Sequence, residues 1–86
     1  MAFAVIHRSE VDDFRRSIAD LGFDAIDFDL SETDTTQPTN SIFSIAGVAH
    51  VVRISIGATQ SYPAGHGSAW PASFEIDLRR GVFGRP

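Results

Sequence analysis

The chain has no cysteine and no lysine among its 86 residues. Without cysteine, neither a disulfide framework nor a thiolate zinc site can support the fold. A chain of this length forms one domain with one small core, and its hydrophobic content of 43% is too high for intrinsic disorder. We therefore expect residues 1–86 to form a single domain, stabilised by packing or by association with another chain.

Long hydrophobic runs are also missing. No apolar stretch approaches the roughly 20 residues that span a bilayer, so no membrane association is expected. The short apolar run at residues 2–6 has no basic residue before it and no cleavage pattern after it, which argues against a secretory signal. The cytoplasm is the expected compartment.

Acidic residues are concentrated in the front of the chain. Nine of the eleven acids precede residue 40, together with three arginines, whereas the remainder carries two acids and four arginines. Binding to nucleic acid rests on lysine and arginine that neutralise phosphates, so this distribution argues against direct nucleic-acid binding. It favours a protein partner with a basic surface.

The clearest local pattern is that of an amphipathic helix over residues 10–21. Ser9 is a suitable N-cap with acids after it, and Gly22 is a suitable C-terminal stop. One apolar stripe at helical spacing would face the core, formed by Val11, Phe14, Ile18 and Leu21.

Period-two patterns predict the strands. Residues 26–30 place Ile26, Phe28 and Leu30 on one face, and residues 74–78 alternate in the same way. Residues 2–6 read as a further strand. The strand-prone stretch 41–56 is either a hairpin centred on Ala46 and Gly47 or one long bent strand.

Two polar or glycine-rich stretches, residues 31–40 and 57–71, are predicted as long loops. The expected fold is α+β, with one amphipathic helix packed as a second layer on a mostly antiparallel sheet of four to five strands, in the order β-α-β-β-β-β. The first two strands could be parallel neighbours through the helix, and Val82 and Phe83 of the tail could pack on the body.

Enzymatic chemistry has little support in the sequence. Tyr62, His66 and Ser68, with His50 nearby, offer a base and a nucleophile, but no strained elbow or orienting group is recognisable. The three histidines, His7, His50 and His66, share no metal-ligand motif, and the glycines of the second loop lack the lysine and the helix of a phosphate site. We expect no catalytic residue, metal or cofactor.

The remaining signal is a surface for a partner. An acidic patch is expected from Asp13, Asp20, Asp24, Asp27, Asp29, Glu32 and Asp34, with Tyr62 and Trp70 as apolar anchors.

These features predict a non-enzymatic interaction module, in one version a small acidic inhibitor or immunity-type protein, phage-related, that mimics nucleic acid and blocks a basic surface. One alternative is a small homo-oligomeric structural or regulatory component, virion-associated, that pairs through the late strands or the 57–71 loop. The other alternative is a small enzyme or ligand binder that uses the 57–71 loop.

Overall fold

A computed structural model of the chain describes residues 3–39, 42–44, 46–65 and 67–86. Two α-helices, one short 3₁₀ helix and five strands lie within them. In chain order they are α1 (Arg8–Asp20), the 3₁₀ helix (Ala25–Asp27), β1 (Phe28–Asp34), β2 (Gln37–Thr39), β3 (Ile42–Ser44), β4 (Ala46–Arg53), β5 (Ala58–Gly65) and α2 (Trp70–Arg79).

The predicted first helix is confirmed, with an earlier start and a different cap. His7, not Ser9, is the N-cap: its Nδ1 accepts the Ser9 N–H at 3.1 Å, and the Glu10 carboxylate accepts the His7 N–H at 2.8 Å. This reciprocal arrangement is a capping box built on histidine. The apolar stripe faces inward as predicted, since Phe14 and Ile18 are buried.

The strands form two separate antiparallel sheets instead of one. β4 lies between β1 and β5 in a three-stranded sheet, and β2 pairs with β3 in a two-stranded one. The β2–β3 pair continues the register of the β1–β4 pair. Asp34 of β1 faces Gly47 of β4, and three residues further along the chain Gln37 of β2 faces Ser44 of β3. Neither the single sheet of four to five strands nor the two-layer arrangement is confirmed, and no parallel pair occurs among the described strands.

The hairpin predicted at Ala46 and Gly47 is wrong, because both residues lie inside β4. The glycine is needed for close approach and not for a turn: a Cβ there would lie 2.5 Å from the carbonyl oxygen of Thr33 and 3.0 Å from the side chain of Val5. The bent-strand alternative fits better, because a single residue separates the end of β3 from the start of β4, and this residue 45 lies outside the described residues.

Four other predictions of secondary structure are wrong. Residues 4–6 of the expected first strand form bends, residue 3 is in no regular element, and residue 2 lies outside the described part of the chain. β1 starts and ends later than expected, so that Ile26 falls on the 3₁₀ helix with 84% of its surface exposed. The predicted loops contain the end of β1, β2 and all of β5, and the predicted last strand is helical.

The alternation of Phe74, Ile76 and Leu78 predicts a strand, but the same segment also has the spacing of a helix, which is the structure it forms. Trp70, Phe74 and Leu78 are four residues apart, which places them on one face of a helix, and all three are buried. Pro71 lies in the first turn, where a missing N–H costs nothing. The observed order is therefore α-β-β-β-β-β-α, in place of β-α-β-β-β-β.

Aromatic side chains from both helices and from the sheet meet in one core. Phe74 is central: its ring centroid lies 4.7 Å from that of Phe14, 6.0 Å from Phe28 and 6.3 Å from Tyr62. Phe83 of the tail is fully buried against Phe74, as expected for a tail that packs on the body. The remaining buried apolar residues are Val5, Ile6, Ile18, Phe23, Ala49, Val51, Ala64, Trp70 and Leu78.

Candidate interaction site

Strand β1 lies at one edge of the three-stranded sheet, and its register shows which backbone groups face outward. The Thr35 N–H donates to the Ala46 carbonyl at 2.9 Å, and the Ile54 N–H donates to the Asp27 carbonyl at 2.7 Å. Because directly opposed pairs alternate between bonded and non-bonded in an antiparallel ladder, the odd-numbered residues of β1 bond to β4. The even-numbered residues point their backbone groups away from β4.

Leu30 and Glu32 are the central outward-pointing residues of this edge. Within the described residues, no hydrogen bond engages the outward backbone groups of either one. An edge strand with a free N–H and C=O row is a template for another strand. β1 therefore presents a short open edge.

The opposite edge, formed by β5, is closed by a proline. The same alternation makes the even-numbered residues of β5 bond to β4, so that Ser61 and Pro63 face outward. Pro63 has no N–H at a position where an added strand would need a donor. Within the part of the chain that the structure describes, β1 is the edge of this sheet that is left open.

A groove of about 220 Å³ runs beside the open edge, between β1 and α1. Its apolar lining is formed by Phe3, Val11, Phe14, Ala25, Phe28 and Leu30. Arg15 of α1 and Asp29 of β1 also line the groove. An apolar hollow next to unpaired strand backbone is suited to an extended segment with a seated side chain.

The seven carboxylates predicted as an acidic patch are divided by the structure into two groups. Glu32 is engaged internally: its carboxylate accepts the backbone N–H groups of Ala4, Val5 and Ile6 at 2.7 to 3.2 Å. These contacts attach the segment before α1 to strand β1. The role of Glu32 in the structure is therefore to hold this segment.

Asp27 is also engaged internally. It accepts hydrogen bonds from the Ser55 hydroxyl at 2.6 Å, the Ser55 N–H at 2.9 Å and the Arg53 Nε at 3.0 Å. The bond from the Ser55 hydroxyl, followed by that from Arg53, lowers the pKa of Asp27 from its ordinary value. The charge of this carboxylate is largely matched by Arg53.

Two further acids stabilise local turns. Asp24 accepts the Ile26 N–H at the start of the 3₁₀ helix, and Asp34 accepts the Thr36 N–H at the end of β1. Hydrogen bonds from Thr36 lower the pKa of Asp34, which keeps it ionised. Both carboxylates are exposed and still contribute negative charge to the surface.

Asp13, Asp20 and Asp29 are the remaining acids of the predicted patch, and all three are exposed. Asp13 lies 3.6 Å from Arg16 on the same helix, a solvent-exposed pair of little energetic weight. Asp20 lines a separate hollow between the two helices. Asp29 and Asp34 are therefore the exposed acids that lie on the open strand.

Tyr62 and Trp70, predicted as apolar anchors, are in the core with 6% and 1% of their surfaces exposed. The Tyr62 hydroxyl donates to Asp77 at 2.7 Å. Burial, followed by the contact with Asp77, raises the pKa of Tyr62 well above its ordinary value. In this fold neither ring is available to a partner.

Three of the exposed large apolar side chains are isoleucines that the sequence predicts to lie on strands. Ile26, Ile54 and Ile56 have 84%, 60% and 57% of their surfaces exposed. The backbone bond from Ile54 to Asp27 joins the two segments that carry them, at the end of the sheet where β1 begins. The sequence carries a turn signal for Ile56, which directly precedes Gly57.

The residues weighed for catalysis are not brought together. Both ring nitrogens of His50 are engaged on the sheet surface, Nε2 with the Thr33 hydroxyl at 2.8 Å and Nδ1 with the Ser61 hydroxyl at 2.9 Å. Tyr62 points to the opposite face, into the core. Ser68 lines a hollow beside the start of α1, and His66 lies outside the described residues.

Among the residues that the structure describes, no three histidine, aspartate or glutamate side chains are grouped as a metal site would require. Within the same residues, neither helix is long and apolar enough to cross a bilayer. No family model matches the chain, and no curated protein or solved structure is significantly similar to it.

Proposed function

We propose that this protein is a non-enzymatic interaction module that binds a basic segment of a protein partner through a surface built on strand β1. The observation that supports it is the combination of an open strand edge with two exposed carboxylates, Asp29 and Asp34, beside an apolar groove. Charges of one sign steer and select partners of the opposite sign, while the groove supplies contact area.

We propose that only the exposed acids of β1 contact the partner, which is a smaller surface than mimicry of nucleic acid by the whole acidic front half of the chain would need. Glu32 and Asp27 are occupied by internal contacts, and the acids of α1 share that helix with Arg8, Arg15 and Arg16. The acids of β1 have no arginine on their own strand. We propose that the protein acts in the cytoplasm by occupying a basic site on its partner.

The partner is identified by comparing the host proteins that the wild-type chain and two variants recover. The tagged chain is used to recover proteins from its native host, alongside Asp29→Lys and Asp20→Lys. Both variants change the net charge equally, but only Asp29 lies at the groove.

We expect Asp29→Lys to lose a basic partner that the wild type and Asp20→Lys retain. Recovery of this partner by the wild type should fall with added salt. Recovery of the same proteins by both variants would contradict the proposal. Recovery of acidic proteins alone would contradict it as well.

A further inference from the structure

The open edge of β1 offers an added strand two kinds of contact, one with its backbone groups and one with its side chains. Leu30 and Glu32 direct their backbone groups outward, and Leu30 also lines the groove with its side chain. An added strand would bond to these backbone groups, and its side chains would alternate between the two faces of the sheet.

The two faces next to β1 differ in chemistry, which fixes the pattern of the added strand. Phe28 and Leu30 direct their side chains to the groove, whereas Asp29, which also lines the groove, directs its side chain to the face that carries Val52 and Thr59. Side chains that are opposite each other on adjacent strands point to the same face. A residue opposite Leu30 enters the groove, and its neighbour in sequence lies beside Asp29.

We infer that β1 binds an extended segment of alternating basic and apolar residues as an additional strand. This inference rests on the proposed function and specifies its partner. An apolar side chain occupies the groove, where Arg15 disfavours a second cation, and a lysine or arginine pairs with Asp29.

A second copy of this chain is a poorer occupant of the same edge. β1 carries three acids, Asp29, Glu32 and Asp34, and no basic residue. Pairing β1 with its own copy would bring six carboxylates into one small sheet edge, and like charges on paired strands are destabilising. Charge complementarity therefore selects a basic strand.

The test uses the full ¹⁵N-labelled chain and a synthetic peptide, acetyl-Lys-Val-Lys-Val-Lys-amide, with the matching Glu-Val peptide as a control. Amide exchange rates are measured for Leu30, Glu32 and Ser31. We expect saturating Lys-Val peptide to slow exchange at Leu30 and Glu32 by at least about ten-fold, because new hydrogen bonds protect them. Exchange at Ser31, already bonded to β4, stays unchanged.

A pair of variants tests the groove. Ala25→Trp fills it from an exposed position, whereas Ala72→Trp makes the same change at an exposed position of α2. We expect Ala25→Trp to weaken binding of the Lys-Val peptide by about ten-fold, roughly the value of one seated side chain. Ala72→Trp should bind as the wild type does.

Three results would overturn the inference. If the basic peptide binds but Leu30 and Glu32 exchange as before, strand addition is wrong and the proposed function stands. If neither peptide binds at millimolar concentration, or both bind equally, the proposed function fails too. If Leu30 and Glu32 become protected as protein concentration rises without peptide, the occupant is a second copy.

Discussion

At the scale of single residues, the polar contacts of the core and its margin explain why the acidic patch is smaller than the sequence predicts. Asp27 and Glu32 appear in the sequence as members of an acidic run, and nothing there distinguishes them from Asp29. Their partners, Arg53 and the amides of residues 4–6, are more than 25 positions away in the chain. Such long-range pairing has no local signal.

The chain contains one tyrosine, so its ionisation can be followed without interference. Burial and the nearby Asp77 raise the pKa of Tyr62, and a raised pKa in the folded state favours the folded state below the unfolded value of about 10. This contribution is lost as pH rises beyond that value. We predict no tyrosinate absorbance at 295 nm near pH 10 while the fold persists.

The same titration in urea provides the control, because the unfolded chain should ionise near pH 10. Asp77→Asn should lower the pKa of Tyr62 but leave it above 10, since burial is the larger cause. A folded-state midpoint at 10, with Trp70 fluorescence unchanged, would contradict the buried position of the ring.

Glu32 is predicted to be a structural residue. Its two carboxylate oxygens accept the N–H groups of three consecutive residues, and glutamine offers only one acceptor oxygen at that site. We expect Glu32→Gln to lower the free energy of unfolding by about 1.5–3 kcal/mol, the range for hydrogen bonds to charged groups. The measurement is urea denaturation at pH 7.

Asp29→Asn is the matched control for this variant, because it removes a charge from the same strand without a partner among the described residues. It should leave the denaturation midpoint almost unchanged. Equal effects of the two variants would show that charge alone, and not the contact with residues 4–6, accounts for any loss.

At the scale of elements, the sequence predicts well where local rules and packing agree. Helix α1 is recognisable because its stripe of Phe14 and Ile18 precedes a glycine stop at Gly22, although its N-cap is His7 and not Ser9. β5 was missed because Pro63 and Gly65 are poor strand residues, yet the edge position tolerates both. The β1 edge and its groove could not be predicted, since they depend on which strand lies beside which.

Helix α2 is the element for which the sequence supports two periods, and mutations separate them. In a strand, Phe74 and Ile76 would share a buried face, whereas in the observed helix Phe74 is buried and Ile76 is 53% exposed. We predict that Phe74→Ala costs about 3–5 kcal/mol of stability. Ile76→Lys should change stability by no more than about 0.5 kcal/mol.

Both variants are compared by urea denaturation monitored through Trp70 fluorescence. A large loss of stability in Ile76→Lys would mean that its side chain packs in the core. That result would favour the strand over the helix.

At the scale of the whole molecule, the two edges of the three-stranded sheet differ in their capacity to pair with another strand. β1 carries acids along an open edge, and β5 carries Pro63 along a closed one. Charge on an edge repels copies of the chain while admitting a basic strand, whereas proline blocks any added strand. This asymmetry leaves one edge of the sheet open to an added strand, which is the edge that the proposed partner would use.

The asymmetry predicts the effect of opening the second edge. Pro63→Val supplies an N–H on the outward side of β5. The strand β5 itself carries no charged residue. We expect this variant to self-associate at concentrations where the wild type shows less association by light scattering, because free edges pair. Thr59→Val, an outward residue of the same strand, raises apolar surface without changing the edge donors. If both variants associate equally, added apolar surface is responsible, and Pro63 does not protect the edge.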